Sequence, residues 1–162
     1  MSKQINEYDQ QFMTRAIELA QLGMENGAGG PFGCVVVKNG EIIAEGFNSV
    51  TSTNDPTAHA EVVAIRKACE NSGSFQLDGC TVYTSCEPCP MCLGAIYWAR
   101  PTRVYYGCSR EDAAAIQFDD QFIYDELDLN IDQRKIPFQQ LMQGEARAVF
   151  NQWSAKDDKT KY

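Results

Sequence analysis

Apolar residues recur along the chain at two spacings, and these spacings predict where the helices and strands lie. Residues 9–25 and 58–70 carry apolar side chains every three or four positions, which is typical of amphipathic helices. Two short apolar runs, 34–37 and 42–44, flank the dipeptide Asn39-Gly40. Such a dipeptide between two apolar runs is a strong signal for a β-hairpin with a two-residue turn.

The middle of the chain continues with a loop, two strands and a helix. Residues 48–57 are rich in Thr, Ser, Asn and Asp and are predicted to form a loop. Residues 80–84 and 104–106 are predicted to be strands. A helix that begins near Cys89 must end before Pro101, because the residue before a proline avoids helical geometry.

The last part of the chain gives a weaker pattern. Residues 111–117 and 145–155 favour helices, whereas residues 118–137 are acidic and aromatic without a clear period. The order of elements predicts an α/β fold, namely a three-layer α/β/α sandwich with a central mixed sheet and helices on both faces. No repeat, low-complexity tract or linker interrupts the chain, so residues 1–162 are predicted to form a single domain.

Composition narrows the classes of function. The net charge of −8, from 14 basic and 22 acidic residues, disfavours a nucleic-acid partner and favours a small-molecule substrate. No apolar run is long enough to cross a bilayer, and the N-terminus lacks the apolar core of a secretory signal. Seven cysteines, an odd number, indicate reduced thiols rather than a disulfide framework. We therefore expect a cytoplasmic protein that does not bind membranes.

Three residues have the chemistry of zinc ligands. His59 is the only histidine, and Cys89 and Cys92 are separated by two residues. Catalytic zinc sites use three nitrogen or sulfur ligands and leave the fourth position to water. Pro90 favours a helix start directly after Cys89, and the positive end of that helix favours the thiolate form that a metal requires. The sequence predicts one Zn²⁺ per subunit, held by two helix starts that face each other.

Glu61 supplies a carboxylate beside this predicted site. It lies two residues after His59, so a metal held off the helix end leaves Glu61 within reach of the bound water. Its alternative role as half of a capping box would need Ser or Thr at position 58, which is Ala58. Three ligands and a free acid are typical of zinc-dependent deaminases.

Cys86 leaves a second arrangement open. With Cys89 and Cys92 it repeats the spacing of an iron–sulfur cluster motif, but position 96, where a fourth cysteine is needed, is Ile96. Cys86 could also complete a purely structural zinc site, in which case the chain would be a zinc-stabilised binding module without turnover. We favour Cys86 as a neighbour of the site, because it precedes the predicted helix and a structural site gives Glu61 no role.

Four stretches of the chain resemble the bacterial guanine deaminases of the cytidine-deaminase superfamily. They are GGPFG at 29–33, STNDPTAHAE at 52–61, YTSCEPCPMCLGAIYWAR at 83–100 and FDD at 118–120. The resemblance spans nearly the whole chain and implies the superfamily fold and the zinc-dependent hydrolysis of guanine to xanthine and ammonia. It also implies a homodimer in which the C-terminal segment, about residues 137–162, crosses to the partner subunit. Deamination of guanosine, cytosine or tRNA adenosine is the alternative within the same chemistry.

The resemblance further implies the roles of individual residues. The implied substrate-binding residues are Phe32, Asn48, Ala60, Trp98 and Tyr162. By resemblance, Phe32 stacks on the base, Asn48 forms a hydrogen bond with it, and Trp98 forms a wall of the pocket. Asp120 matches a second acid near the departing amine, besides Glu61. Tyr162 matches a terminal tyrosine that completes the active site of the partner subunit. Without the resemblance, Phe32 would be assigned to the core, Trp98 to helix packing and Asn48 to a turn.

Overall fold

The computed structural model describes residues 6–162 and divides them between two compact units, residues 6–120 and residues 121–162. The first unit contains β1 (Gly33–Lys38), β2 (Glu41–Phe47), β3 (Cys80–Cys86) and β4 (Arg103–Cys108), with α1 (Glu7–Glu25), α2 (Val50–Thr53), α3 (Ala60–Ser72), α4 (Pro90–Ala99) and α5 (Arg110–Ala115). The second unit contains α6 (Gln121–Asp128), a 3₁₀ helix (Ile131–Gln133) and α7 (Gln143–Ala155).

The strands of the first unit form one mixed sheet in the order β2-β1-β3-β4. β1 pairs antiparallel with both β2 and β3, whereas β3 and β4 are parallel. The predicted hairpin joins β1 to β2, and its turn residues Asn39 (φ 53°) and Gly40 (φ 83°) are both left-handed, as a tight two-residue turn requires. The predicted mixed sheet is confirmed.

Helices cover both faces of this sheet, which confirms the predicted α/β/α layers. Val35 and Val37 of β1 pack in one apolar cluster with residues of α1, whereas Cys34 and Val36 pack in a second cluster with residues of α3. Successive side chains of a strand point to opposite faces, so α1 and α3 lie on opposite sides. The almost fully buried β1 therefore forms the centre of the core.

Helix α3 approaches the sheet very closely at Gly46 of β2. A Cβ atom added to Gly46 would lie 2.5 Å from the carbonyl oxygen of Ala60 and 2.8 Å from the amide nitrogen of Ala64. Only a glycine allows a helix backbone to sit so near the strand. This contact fixes the depth at which the first turn of α3 enters the molecule.

The structure differs from the predicted elements at three places. The predicted loop 48–57 contains the single turn α2, which ends at Asn54 in a left-handed conformation. β3 extends to Cys86, which pairs with Cys108 of β4. The segment 118–137 contains α6 and the 3₁₀ helix, which are too short for a 3.6-residue period to stand out in the sequence.

The second unit has no buried side chain among its residues. Its exposed apolar side chains include Phe122, Ile136, Leu141, Val149, Phe150 and Trp153. Glu126 links two parts of this unit, because its backbone oxygen accepts from Arg134 (3.0 Å) and its carboxylate accepts from the Lys135 N–H (2.8 Å). Throughout residues 6–162, no helix combines the length and the apolarity that a transmembrane span needs.

We expect Gly46→Ala to lower the free energy of unfolding by about 3 kcal/mol, near the upper end for overpacked sites. The added methyl group meets backbone atoms of α3 that cannot rotate away. Urea denaturation of zinc-loaded protein measures the change. Gly144→Ala is the matched control, because a Cβ there meets nothing within 4 Å and helix propensity favours alanine by at most about 1 kcal/mol. Equal stability of the two variants would contradict the close approach of α3.

Candidate metal centre and active site

Two helix starts carry the predicted zinc ligands. His59 is the N-cap residue of α3 and Cys89 the N-cap residue of α4, with Pro90 following as the first helical residue. Both caps have extended backbone, and neither side chain forms a capping hydrogen bond. The imidazole and the thiol are therefore available to a ligand at the positive ends of the two helices.

The three donor atoms of His59, Cys89 and Cys92 lie within 4.8 Å of one another, and no other such group of His, Cys, Asp and Glu occurs in residues 6–162. Nδ1 of His59 is 3.6 Å from Sγ of Cys89 and 3.5 Å from Sγ of Cys92. Tetrahedral zinc with standard Zn–N and Zn–S bonds separates N and S ligands by about 3.6 Å. The donor types and their spacing therefore fit zinc, and Nδ1 is the ligand atom of His59.

The protonation of the two cysteines also fits a metal site. The hydrogen bond from the Cys92 thiol, followed by the interaction with His59, lowers the pKa of Cys89 to about 4, although burial opposes the change. The same hydrogen bond, together with burial, raises the pKa of Cys92. A thiol with a lowered pKa can supply the thiolate that zinc requires, and a bound zinc ion would favour deprotonation of the second thiol.

Cys86 lies outside this group of donors. Its thiol donates to the backbone oxygen of Ser109 at 3.5 Å, and burial is the main reason that its pKa is raised to about 11. A buried thiol with a raised pKa is a poor source of thiolate. The geometry thus agrees with the interpretation of Cys86 as a neighbour, and leaves the fourth zinc position without a protein ligand among the described residues.

Glu61 lies in the first turn of α3 and is only 6% exposed. Its Oε1 accepts a hydrogen bond from Thr84 Oγ1 at 2.9 Å, and its Oε2 accepts from Cys92 Sγ at 3.3 Å. Burial raises the pKa of the carboxyl group. The structure therefore brings a free carboxyl group beside the three donors. Thr84 is the one contact here that sequence reasoning missed, since nothing in the pattern links β3 to position 61.

Asn48, a predicted substrate-binding residue, is also buried and is 6% exposed. Its Oδ1 accepts from the backbone N–H groups of Gly30 (3.3 Å) and Val50 (3.2 Å). A Cβ at Gly29 would lie 2.1 Å from this oxygen, so the loop fits tightly around it. Among the described residues no group accepts from the Asn48 amide nitrogen, so this nitrogen can donate to a ligand.

An aromatic pair connects the loop after α1 with the segment that carries Asp120. The rings of Phe32 and Phe118 meet edge to face with centroids 5.0 Å apart. Gly30 has no room for a side chain between them, since a Cβ would lie 2.8 Å from Phe118 and 2.9 Å from Phe32. Burial and then the charge of Cys89 raise the pKa of Asp120.

The other predicted substrate-binding residues lie in different surroundings. Ala60 is fully buried at the start of α3, directly between His59 and Glu61. Trp98 is 64% exposed on α4, and Tyr162, the last residue of the second unit, is 68% exposed. Their assignment to a binding pocket stays a prediction.

We expect His59→Ala, Cys89→Ala and Cys92→Ala each to lose bound zinc, because two remaining ligands hold the ion far less tightly than three. Zinc content of the purified chains, measured by plasma mass spectrometry, should fall from one ion per chain to near zero. Cys86→Ala removes another buried thiol only three residues from Cys89 and should keep its zinc. Loss of zinc in that control would make Cys86 a ligand.

Comparisons with known proteins agree with this site. The sequence profile of the cytidine and deoxycytidylate deaminase zinc-binding region matches residues 6–108. Guanine deaminase of Bacillus subtilis is 57% identical over 151 residues, which cover 93% of this chain and 97% of that protein. An X-ray structure of guanine deaminase from Bacillus subtilis superimposes with a TM-score of 0.92 at 55% identity, covering 98% of this chain and 99% of that one. A tRNA-specific adenosine deaminase of Buchnera aphidicola is 41% identical over 64% of this chain and 68% of its own length. The chain belongs to the zinc-binding cytidine and deoxycytidylate deaminase family.

Proposed function

We propose that the protein is a zinc-dependent guanine deaminase, which hydrolyses guanine to xanthine and ammonia. The observation that carries the proposal is the buried carboxyl group of Glu61, held beside a centre with three ligands. The similarity to guanine deaminase of Bacillus subtilis over 93% of the chain supports guanine as the substrate.

Glu61 is the proposed general base and acid. When bound, zinc supplies a Lewis acid that makes water a competent nucleophile at neutral pH. Glu61 takes a proton from the attacking water and delivers it to N3 of guanine, the ring nitrogen next to C2 that carries no proton. The water oxygen adds to C2, which becomes tetrahedral. A group that both accepts and returns a proton must not be a metal ligand. Glu61 does not belong to the group of three described residues that could hold the metal.

Departure of ammonia needs a second proton at the exocyclic nitrogen of C2. Glu61 takes the remaining proton from the C2 hydroxyl group, and Glu61 or Asp120 protonates the exocyclic nitrogen. The bond between C2 and the exocyclic nitrogen breaks, and the oxygen of the water remains on C2 as the new carbonyl of xanthine. The partly buried carboxyl group of Asp120 and the proximity of Cys89 support this role, because both raise its pKa. A raised pKa keeps more of the acid protonated and able to donate.

Asn48 is proposed to recognise the base through a hydrogen bond. Its Oδ1 is occupied by two backbone N–H groups, so the side chain presents only its N–H₂ donor. Guanine offers a carbonyl oxygen at C6, whereas adenine offers an amino group there, which cannot accept from Asn48. A site whose polar group is left unmatched rejects such an analogue strongly. Phe32 stacks on the ring, and Ala60 and Trp98 line the pocket beside it.

The tRNA-adenosine alternative is less well supported. The match to the tRNA-specific adenosine deaminase covers 64% of this chain, whereas the match to guanine deaminase of Bacillus subtilis covers 93% and therefore includes most of residues 121–162. The net charge of −8 opposes the phosphate backbone of RNA. We therefore propose a free purine base as the substrate, with neither nucleic acid nor membrane as a partner.

The exposed apolar side chains of the second unit support a homodimer with exchanged C-terminal segments. Within residues 121–162 no side chain is buried, and exposed side chains such as Leu141, Phe150 and Trp153 are large and apolar. A segment of this size without a core of its own needs another surface to bury these groups. We propose that residues 137–162 bind the partner subunit and that Tyr162 completes the partner's active site.

A cytoplasmic location is part of the same proposal. All seven cysteines are free thiols in the structure. Thiols stay reduced in the cytoplasm, whereas exported proteins more often pair them. The thiolates of Cys89 and Cys92 also need a reducing environment to remain zinc ligands.

Zinc-loaded protein should release ammonia from guanine, and Glu61→Gln should lower that rate by at least about 100- to 10,000-fold, because it removes the proton carrier. Zinc should remain at one ion per chain in the variant. Ammonia release from guanine, guanosine, cytosine and adenine, together with the zinc content, measures both expectations.

Glu45→Gln is the matched control, because it makes the same change of charge away from the metal centre. Glu45 lies on β2, and its Oε1 is 2.6 Å from Nε of Arg15 in a salt bridge that involves none of the zinc ligands. It should keep full activity. No ammonia from guanine would refute the proposed substrate, and an active or zinc-free Glu61→Gln variant would refute the role of Glu61.

Heterodimers of Glu61→Gln and Tyr162→Ala subunits test the exchange. If Tyr162 acts on the partner, one of the two sites in the heterodimer combines an intact Glu61 with an intact tyrosine and restores turnover. Differently tagged, co-purified subunits allow the measurement, and both parent homodimers serve as inactive or slow references. Inactive heterodimers, or active monomers after deletion of residues 153–162, would contradict the exchange.

A further inference from the structure

We propose that Thr84 is a positioning residue that holds the carboxylate of Glu61 in the orientation required for proton transfer. The inference rests on the proposed function, because proton transfer by Glu61 defines the role. Thr84 itself touches neither the donor atoms of the metal centre nor, in this proposal, the substrate.

Thr84 lies in an interior part of the sheet where an apolar residue would suffice. It is 0% exposed on β3 and pairs with Cys34 of β1 on one side and Tyr106 of β4 on the other. Val82, two residues earlier and therefore on the same face of the strand, belongs to the apolar cluster that packs on α3. A buried hydroxyl needs a hydrogen-bond partner, and that of Thr84 is Oε1 of Glu61 at 2.9 Å.

Once zinc is bound, Thr84 is the one side chain among the described residues that can donate a hydrogen bond to Glu61. The only other side-chain donor is Cys92, whose thiol points at Oε2 from 3.3 Å. A cysteine that ligates zinc is deprotonated, so Cys92 can donate to Glu61 only while it is not a ligand. Thr84 then holds Oε1, and Oε2 is left to exchange the proton.

The location of Thr84 makes it a rigid donor. It is β-branched and therefore stiff about χ1, and it sits on a strand paired on both sides. Glu61, in contrast, has three rotatable side-chain bonds and begins on the first turn of a helix. A group fixed by the sheet thus restricts a flexible catalytic side chain, as a preorganised site requires.

Thr84→Val and Thr84→Ser distinguish the effect of the hydroxyl group from the effect of the side-chain shape. Valine keeps the volume and removes the donor, whereas serine keeps the donor. In zinc-loaded protein, Thr84→Val should lower kcat for guanine by about 10- to 100-fold with little change in KM, as is usual for groups that orient a functional side chain. Thr84→Ser should stay within about threefold of the original kcat.

Ser85→Ala is the matched control. It removes a neighbouring buried hydroxyl that bonds the backbone N–H of Gly33 at 3.0 Å and does not bond Glu61. It should lower the stability to urea without lowering kcat. Zinc content should remain at one ion per chain in all three variants.

Crystal structures of the zinc-loaded variants give a readout that does not depend on turnover. Glu61 should occupy more than one rotamer in Thr84→Val and a single rotamer in Thr84→Ser and Ser85→Ala. Unchanged kcat in Thr84→Val, an equal loss in Ser85→Ala, or one fixed rotamer of Glu61 without the hydroxyl would overturn the proposal. If the unaltered protein released no ammonia from guanine, the proposed function would fail, and the Glu61 rotamers would still decide whether Thr84 holds this side chain.

Discussion

The meeting of two helix starts at one point is the constraint on which the site depends. His59 and Cys89 occupy the N-cap positions of α3 and α4, and neither side chain forms a capping hydrogen bond. Cys92 completes the set one turn into α4. Two thiols, an imidazole and the carboxyl group of Glu61 therefore lie close together in a largely buried space. A bound cation would stabilise the thiolate form of the two cysteines inside the protein.

The sheet determines how deeply that cluster is set. Helix α3 rests on Gly46, which has no side chain to hold the helix away from β2. As a result Ala60 and Glu61 are buried, although they lie in the first turn of a helix. Thr84 reaches Glu61 from the central strand β3. Packing of this helix on the sheet and the chemistry of the carboxyl group are therefore parts of one arrangement.

Asn48 and Phe32, which are proposed to bind the substrate, lie in loops rather than at helix starts. Asn48 is fixed by the backbone of the loop at Gly30 and by Val50 at the start of α2. Phe32 and Phe118 bring together segments that are far apart in the sequence. Under the proposed function, these loops select the base, whereas the zinc ligands and Glu61 carry out the hydrolysis.

The sequence by itself determined the features that depend on local order. The single histidine, the Cys-Pro-x-Cys spacing and the Asn39-Gly40 turn indicated the ligands and the hairpin, because helix starts and tight turns are encoded by adjacent residues. Short elements such as α2 and α6 escaped notice, since one or two turns give too few positions to show a period. Only the tertiary structure showed that Thr84 binds Glu61 across 23 positions and that the backbone of Gly30 fixes Asn48 across 18. Such contacts depend on strand register and on helix depth, which side-chain periodicity does not specify.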